Sequence, residues 1–416
     1  MFALHRKAMI ISGLAFAATV AAALTVAAKL TTAPEGMVAY GPAQPNVVAA
    51  DNAFGFRLLN AVQKTRPQSN VVLSPVSAAM DLAIALNGAS DETANELKAT
   101  LSLQSIDLAS INAGNAELIR TLRRPVKGVT LSVADAIFVD RHAQLSAAFL
   151  AQAQRWYDAT IAPLDFRNPE TLTQINNWAS EQTHGRIPHV MDQMDTNEVA
   201  VLLNAVYFKG DWTYRFEQSR TQTRNFALAD GTIKQVPRMS QSNTFDYFES
   251  PDVQAIRLPY TTGELAMDVF LPAKKTSLAA FEGSLTPEHW RAWQSQFTSR
   301  QGTLELPRFE LRNDYSLTEP LRTLGMRRAF DRASAQFQRM GAGGLSISYV
   351  KQSTFLKVYE EGSEAAAVTT IGIVATIAGP PRVVPFTMIV DRPFFCAIED
   401  LRSHALLFVG AVYDPT

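Results

Sequence analysis

The 416-residue chain contains one cysteine, Cys396, so no internal disulfide and no cysteine-based zinc cluster can form. It has no excess of charge of either sign. With 38 Lys and Arg against 39 Asp and Glu, the formal net charge is −1, which excludes the broad basic footprint of a nucleic-acid binder. No Pro/Gly/Ser-rich linker and no internal repeat divides Asp51–Thr416, so the two or three domains suggested by length alone reduce to one expected domain. Motifs of hydrolases, zinc proteases and nucleotide-binding loops (G-x-S-x-G, H-E-x-x-H, G-x-x-x-x-G-K-[ST]) are missing. Ser348 and Lys351 match S-x-x-K, but in a strand-like run that sends them to opposite faces. Gly341 to Gly344 reads as a surface turn, and His184 and His189 as surface polar residues without a completed metal site. The expectation is a protein that is not an enzyme, with no catalytic residue, no metal and no cofactor. What is plentiful is apolar: 47% hydrophobic against 19% charged residues is enough to bury a large core.

One long hydrophobic run is present, and it is terminal. His5, Arg6 and Lys7 precede 21 uncharged residues, Ala8 to Ala28, that end in small side chains. This reads as an export signal over residues 1–28, cleaved near Ala28, in a protein that is secreted or periplasmic. The rival is an uncleaved anchor over residues 8–28, the one reading that would place the chain at a membrane. Cleavage is preferred because alanine is only weakly hydrophobic and the exit is rich in small residues. Residues 29–50 carry Thr, Pro, Gly and Ala without periodicity and are expected to be a flexible lead-in.

From Asp51 onward the patterning is mixed. Phe54, Leu58, Leu59 and Val62 fall at helical spacing. Asn70 to Leu73 predicts a short strand. Ser74-Pro75 supplies a cap and a first-turn proline for a helix to Gly88. Residues 129–139 and 199–208 alternate as strands, with helical patterns at 145–157 and 170–185 between them. Beyond 345 nearly everything is strand-like. Helices early and strands late, without regular βαβ alternation, predict an α+β fold.

The most informative segment is residues 360–385, EEGSEAAAVTTIGIVATIAGPPRVVP, which has no charge from Ala365 to Pro381, 17 residues. Its β-branched content favours a strand. Yet the residues alternating inward, Ser363, Ala365, Ala367 and Thr369, are too small to form a robust core. Small inward side chains suit a strand that slips between two existing strands, and Gly362 supplies a pivot before it.

With these residues in view, the chain resembles the serpin family over essentially all of 51–416. Asn70 to Ser77 (NVVLSPVS) is similar to the start of the family's second helix, and Asn204 to Trp212 (NAVYFKGDW) to its third-strand motif. Asp391 to Phe394 (DRPF) and Leu406 to Gly410 (LLFVG) resemble the closing strands. Glu360 to Ala367 (EEGSEAAA) resembles the hinge of the reactive-centre loop of inhibitory members. The resemblance implies one domain with three β-sheets, about nine helices and an exposed reactive-centre loop. It further implies a monomeric suicide-substrate inhibitor that traps a serine protease, with cysteine proteases as a secondary target class, as a covalent complex. A non-inhibitory carrier or chaperone is the alternative.

The implied roles follow by position. Glu360, Gly362, Ser363, Ala365, Ala366, Ala367 and Thr369 form the hinge. Trp212 stands at the top of the opening sheet, and Ser74, Ser77, Asn176, Asn204 and Gln352 in the shutter below it. Capping is the other reading of Ser74, and satisfied buried polarity that of the rest. Gln352 occupies a position where many members carry histidine, and an amide donates and accepts but cannot charge. Counting seventeen residues from Glu360 places the cleaved bond at Thr376-Ile377, with Val374 and Ala375 as slips of one or two. These small aliphatic side chains suit elastase-like or subtilisin-like proteases. Counting back from Arg392-Pro393 gives Arg382-Val383 instead, a trypsin-like site.

Overall fold

The computed structural model describes residues 45–194, 199–342, 344–363 and 384–416. The chain begins with helix α1 (Pro45–Thr65), strand β1 (Val71–Leu73), α2 (Pro75–Gly88), α3 (Asp91–Thr100) and α4 (Leu108–Leu122). Next come β2 (Val129–Asp140), β3 (Gln144–Leu145), α5 (Ala147–Tyr157), β4 (Thr160–Leu164), α6 (Glu170–Gln182) and β5 (Ala200–Asp211). The run β6 (Gln222–Ala227), β7 (Ile233–Glu249), β8 (Val253–Pro259) and β9 (Leu265–Pro272) leads to α7 (Leu278–Gly283) and α8 (Pro287–Gln294). The remainder is β10 (Thr298–Pro307), β11 (Phe309–Ser316), α9 (Thr318–Thr323), β12 (Gly341–Ala342), β13 (Tyr349–Val358), β14 (Gly362–Ser363), β15 (Phe386–Ile389), β16 (Phe394–Asp400) and β17 (Ala405–Val412). Among the described residues there are therefore nine α-helices, and the strands assemble into sheets of nine, six and two. The α+β expectation holds.

Local chemistry explains several boundaries. Pro75 sits in the first turn of α2, where its missing N–H is harmless. Asp107 accepts from the Ser110 amide to cap α4, as Thr286 does from His289 for α8. The expected lead-in is shorter than its sequence suggests. Helix α1 starts at Pro45, and Val47, Val48 and Ala50 are buried, because this apolar turn extends the buried face of the helix. Residues 1–44 lie outside the described residues.

The six-stranded sheet runs in the order β11-β13-β5-β2-β4, with β14 pairing only with β5. Its centre differs from the alternation read in the sequence. Ala200 to Phe208 is buried at every position, because both faces are covered. Val206 and Phe208 join a core shared with the nine-stranded sheet, while Val201, Leu203, Ala205 and Tyr207 pack with Ile175 and Ala179 of α6. Gly341 and Ala342 form a two-residue strand on Gln144 and Leu145 in place of the expected turn. Ser348 and Lys351 part company as expected: the Ser348 hydroxyl accepts from the Val199 amide, and Lys351 pairs with Asp314 at 2.8 Å. Cys396 is buried in β16, and burial pushes its thiol up to about 12, so it packs and does not react.

Candidate functional site

Strands β5 and β13 are parallel neighbours although more than a hundred residues separate them, and Asn204 lies opposite Gln352 in their register. β5 is antiparallel to β2, which sets Asp135 opposite Asn204 on the other side. One row of polar side chains therefore crosses three strands, and α2 packs against it.

This row is the middle of the seam. The Gln352 amide donates to Asn204 Oδ1 at 2.9 Å and to the Ser74 carbonyl at 3.0 Å, and its oxygen accepts from the Ser74 amide at 2.8 Å. The Asn204 amide donates to Ser77 Oγ and to Asp135 Oδ1, and Ser77 donates to the same Asp135 oxygen at 2.9 Å. Ser74, Ser77, Asn204 and Gln352 are all buried. An uncharged amide at position 352 thus fills three hydrogen-bonding places at once, one across the seam and two on the start of α2.

Two expectations need correction. Ser74 occupies the N-cap position of α2, but its side chain makes no capping bond, and its backbone is what holds Gln352. Asn176, on α6, does not join the row. Its side-chain oxygen accepts from the Val190 and Met191 amides, and its NH2 donates to the Met191 carbonyl. Met191 and Val190 lie just beyond the end of α6, so Asn176 ties that helix to its following loop. Sequence reading also missed Asp81 and Asp135. A lone acid in the apolar run of α2, and another among the inner positions of β2, were the available signals.

The top of the seam is built differently. Gly362 and Ser363 run antiparallel to β5, opposite Asp211 and Gly210. The turn into them is closed by hydrogen bonds between Tyr359 and Gly362 in both directions. Gly362 has φ of +146°, and a Cβ there would lie 2.1 Å from the Gly210 carbonyl oxygen, so only glycine fits. Trp212 is buried against Tyr260 with ring centroids 4.5 Å apart, and its Nε1 donates to the Tyr359 carbonyl at 2.9 Å. Its amide donates to the Glu361 carbonyl at 3.0 Å, and the Phe216 amide to that of Glu360 at 2.8 Å.

Glu360 anchors this corner. Its side chain is 2% exposed, and the carboxylate accepts from Arg308 Nε at 2.7 Å, from a second Arg308 nitrogen and from Thr221 Oγ1. Burial by itself would raise its pKa, but the bonds from Arg308 and Thr221 outweigh that and hold the group below the ordinary glutamate range. Trp212, Glu360, Gly362 and Ser363 are thereby brought together at one end of β5. Ala365, Ala366, Ala367, Thr369, Val374, Ala375, Thr376, Ile377, Arg382 and Val383 lie outside the described residues.

Among the described residues, no group of three or more His, Cys, Asp or Glu side chains could hold a metal. His184 and His189 are both exposed, and His189 pairs with Asp192 at 2.7 Å.

Comparison with known proteins gives this architecture its lineage. Iripin-2 of Ixodes ricinus is 31% identical over 376 residues, 89% of this chain and 94% of the relative. Antithrombin-III of Mus musculus is 32% identical over 358 residues, 83% of this chain and 76% of its own length. Among solved structures, the thermophilic serpin tengpin in its native state matches with a TM-score of 0.83 at 27% identity, covering 91% of this chain and 96% of that one. Thyroxine-binding globulin in complex with thyroxine matches at 0.80 and 25%, covering 89% and 99%. The family model described as Serpin (serine protease inhibitor) matches residues 49–415. With three sheets, a parallel central seam and a family match across the whole described fold, this chain belongs to the serpin family.

Proposed function

We propose that the chain is a suicide-substrate inhibitor of serine proteases that traps the acyl-enzyme by inserting its cleaved loop between β5 and β13. The observation that carries this reading is the placement of Gly362 and Ser363 at the mouth of the seam, antiparallel to β5 and already in register. If that register continued, Ala365 would face Phe208, Ala367 would face Val206, and Thr369 would arrive opposite Asn204. The small residues would then meet the bulky side chains of β5. The Thr369 hydroxyl would enter the row in place of the bond that Asn204 now makes with Gln352. Each inserted residue would gain ladder hydrogen bonds to a strand on either side.

The chemistry belongs to the target. The protease serine attacks the scissile carbonyl, the new amine leaves, and an ester remains on the enzyme. Insertion then carries that ester away before water completes hydrolysis. The reactive bond is Thr376-Ile377 on the hinge count, which favours elastase-like or subtilisin-like targets; Arg382-Val383 is the trypsin-like alternative. The hinge count is preferred because insertion length is mechanically constrained. Residues 1–28 would direct export. Among the described residues, no helix is long and apolar enough to cross a membrane.

A carrier role is the second reading, favoured by the likeness to a thyroxine-binding globulin. One gel separates the two. Mixed with elastase, subtilisin and trypsin, an inhibitor gives an SDS-stable covalent complex, whereas a carrier is cleaved and releases active protease. Mass spectrometry of the released fragment then fixes the bond: an N-terminus at Ile377 is expected, and one at Val383 alone would overturn the Thr376 assignment.

A further inference from the structure

Below the polar row, α2 carries a second acid into the site. Asp81 lies one turn beyond Ser77 on the same helix face. It is 0% exposed, and neither of its carboxyl oxygens has a hydrogen-bond donor. The acid beside it is Asp135, whose carboxyl is held at 2.9 Å by Ser77, one turn before Asp81 on the same helix face. Asp135 already receives Ser77 and Asn204 on one oxygen, and Asn204 holds Gln352 across the seam. The seam bond is therefore the far end of a chain of hydrogen bonds whose near end is a pair of adjacent acids.

Two ionised carboxylates side by side, Asp81 fully buried and Asp135 half-buried, repel each other, whereas one proton between them makes a short charge-assisted bond. We propose that Asp81 and Asp135 share a single proton, and that this proton is a pH-sensitive stay on the β5–β13 seam, so that losing it favours opening. This rests on seam opening as the step in the inhibitory reading, but not on any target protease.

Burial is the largest cause raising both groups. It lifts Asp135 to about 6 even though Ser77 and Asn204 pull it down. For Asp81 the neighbouring charge of Asp135 adds to the rise. The other groups facing the pair are neutral: Ser77 from α2, Asn204 from β5, and beyond it Gln352 from β13. Among the described residues, the one further charge that acts on the pair is Arg123 at the end of α4, which is itself paired with Asp158 at 2.7 Å.

The sign follows from linkage. Once opening admits water, the carboxyls return toward the ordinary range near 3.8. Between that range and the raised closed-state values, the closed seam binds more protons than the open one. Closure is therefore strengthened as pH falls toward about 6 and lost as pH rises through the closed-state values. For one proton the effect has a ceiling of about tenfold per pH unit.

The test needs no protease. The intact chain is warmed at a series of pH values, and conversion of native monomer to opened, self-associating products is followed on native gels. As pH is lowered from the alkaline side toward about 6, conversion is expected to slow, by at most about tenfold per unit. In Asp81→Asn, where an amide donates permanently to Asp135, the profile should flatten to within about twofold. Should that variant fail to fold, Asp81→Ala serves: Asp135 then titrates alone, so conversion should be faster and the slope at the alkaline end of the range lost. Difference infrared spectra supply an independent readout: near neutral pH the wild-type-minus-variant spectrum should carry one protonated-carboxyl band, over and above the bands of other buried acids such as Asp51 and Glu282, which both variants keep. A flat wild-type profile, or a variant that keeps the wild-type slope, overturns the proposal. A protein that inhibits nothing yet shows the slope would sink the inhibitory reading alone.

Discussion

The two ends of the β5–β13 seam are held by different forces. At the top, an ion pair with a partly exposed arginine, a buried indole and a backbone turn fasten the first residues of the hinge to β5. In the middle, two uncharged amides bond strand to strand and a hydroxyl ties them to α2, all in full burial. On the proposed mechanism, the top bonds would lie outside the path of the inserting strand and would persist while it enters. The bond between Asn204 and Gln352 would lie across that path and would have to break. A molecule that waits to open therefore needs a permanent fastening where the strand begins and a breakable one where it passes, and the chemistry at each place suits its task.

Removing the hub of the middle should have the largest effect. Asn204→Ala takes one hydrogen-bond partner each from Gln352, Ser77 and Asp135 and leaves a hole in the row, and a loss of about 2–4 kcal/mol is expected. The urea midpoint of the intact chain measures it, and a shift no larger than that of a surface substitution would dissolve the distinction between the two ends.

At the top, Glu360→Gln keeps the shape and removes the charge. Because the Arg308 side chain is 40% exposed, it can rehydrate, and a smaller loss of about 1 kcal/mol is expected near neutral pH. The pH dependence sharpens the contrast. The folded Glu360 titrates below its ordinary value, so its contribution is present above the ordinary glutamate range and lost as pH falls through the folded value. Wild type and Glu360→Gln should converge in acid, the opposite limb from the one assigned to Asp81 and Asp135. Convergence in alkali instead would mean that Glu360 does not act as an ionised anchor.

The smallest effect is expected for Ser74→Ala. Gln352 grips the backbone of residue 74, and the hydroxyl makes no cap. A change within about 0.5 kcal/mol is expected in the same urea experiment. A loss comparable to that of Asn204→Ala would restore the side chain to the switching role read from sequence.

Local features of the fold were legible in the sequence because their causes are local. The proline at the start of α2, the strand from Val71 and the helix around Phe54 all follow from propensity and spacing. The seam was not legible in that way. β5 and β13 meet through tertiary packing, and only the family resemblance set Asn204 and Gln352 in one site. That resemblance also put Asn176 among them, where the structure gives it a loop to hold. Asp81 and Asp135 escaped because period-based reading treats a lone acid on an apolar face as an interruption. Two such interruptions on separate elements become informative only when the fold sets them side by side.

Gly362 has a kinetic consequence. Its turn fixes where the next strand would start and which residue of β5 it would face. On the proposed mechanism, the ends of the insertion reaction would be joined before it begins, and the loop-closure entropy of finding that register would have been met during folding. Insertion would then resemble the propagation phase of a zipper whose nucleation is already complete: residues would add one after another from a fixed end, with no search over alternative alignments. In a race against hydrolysis of an ester, a reaction without a nucleation lag is the one that can win.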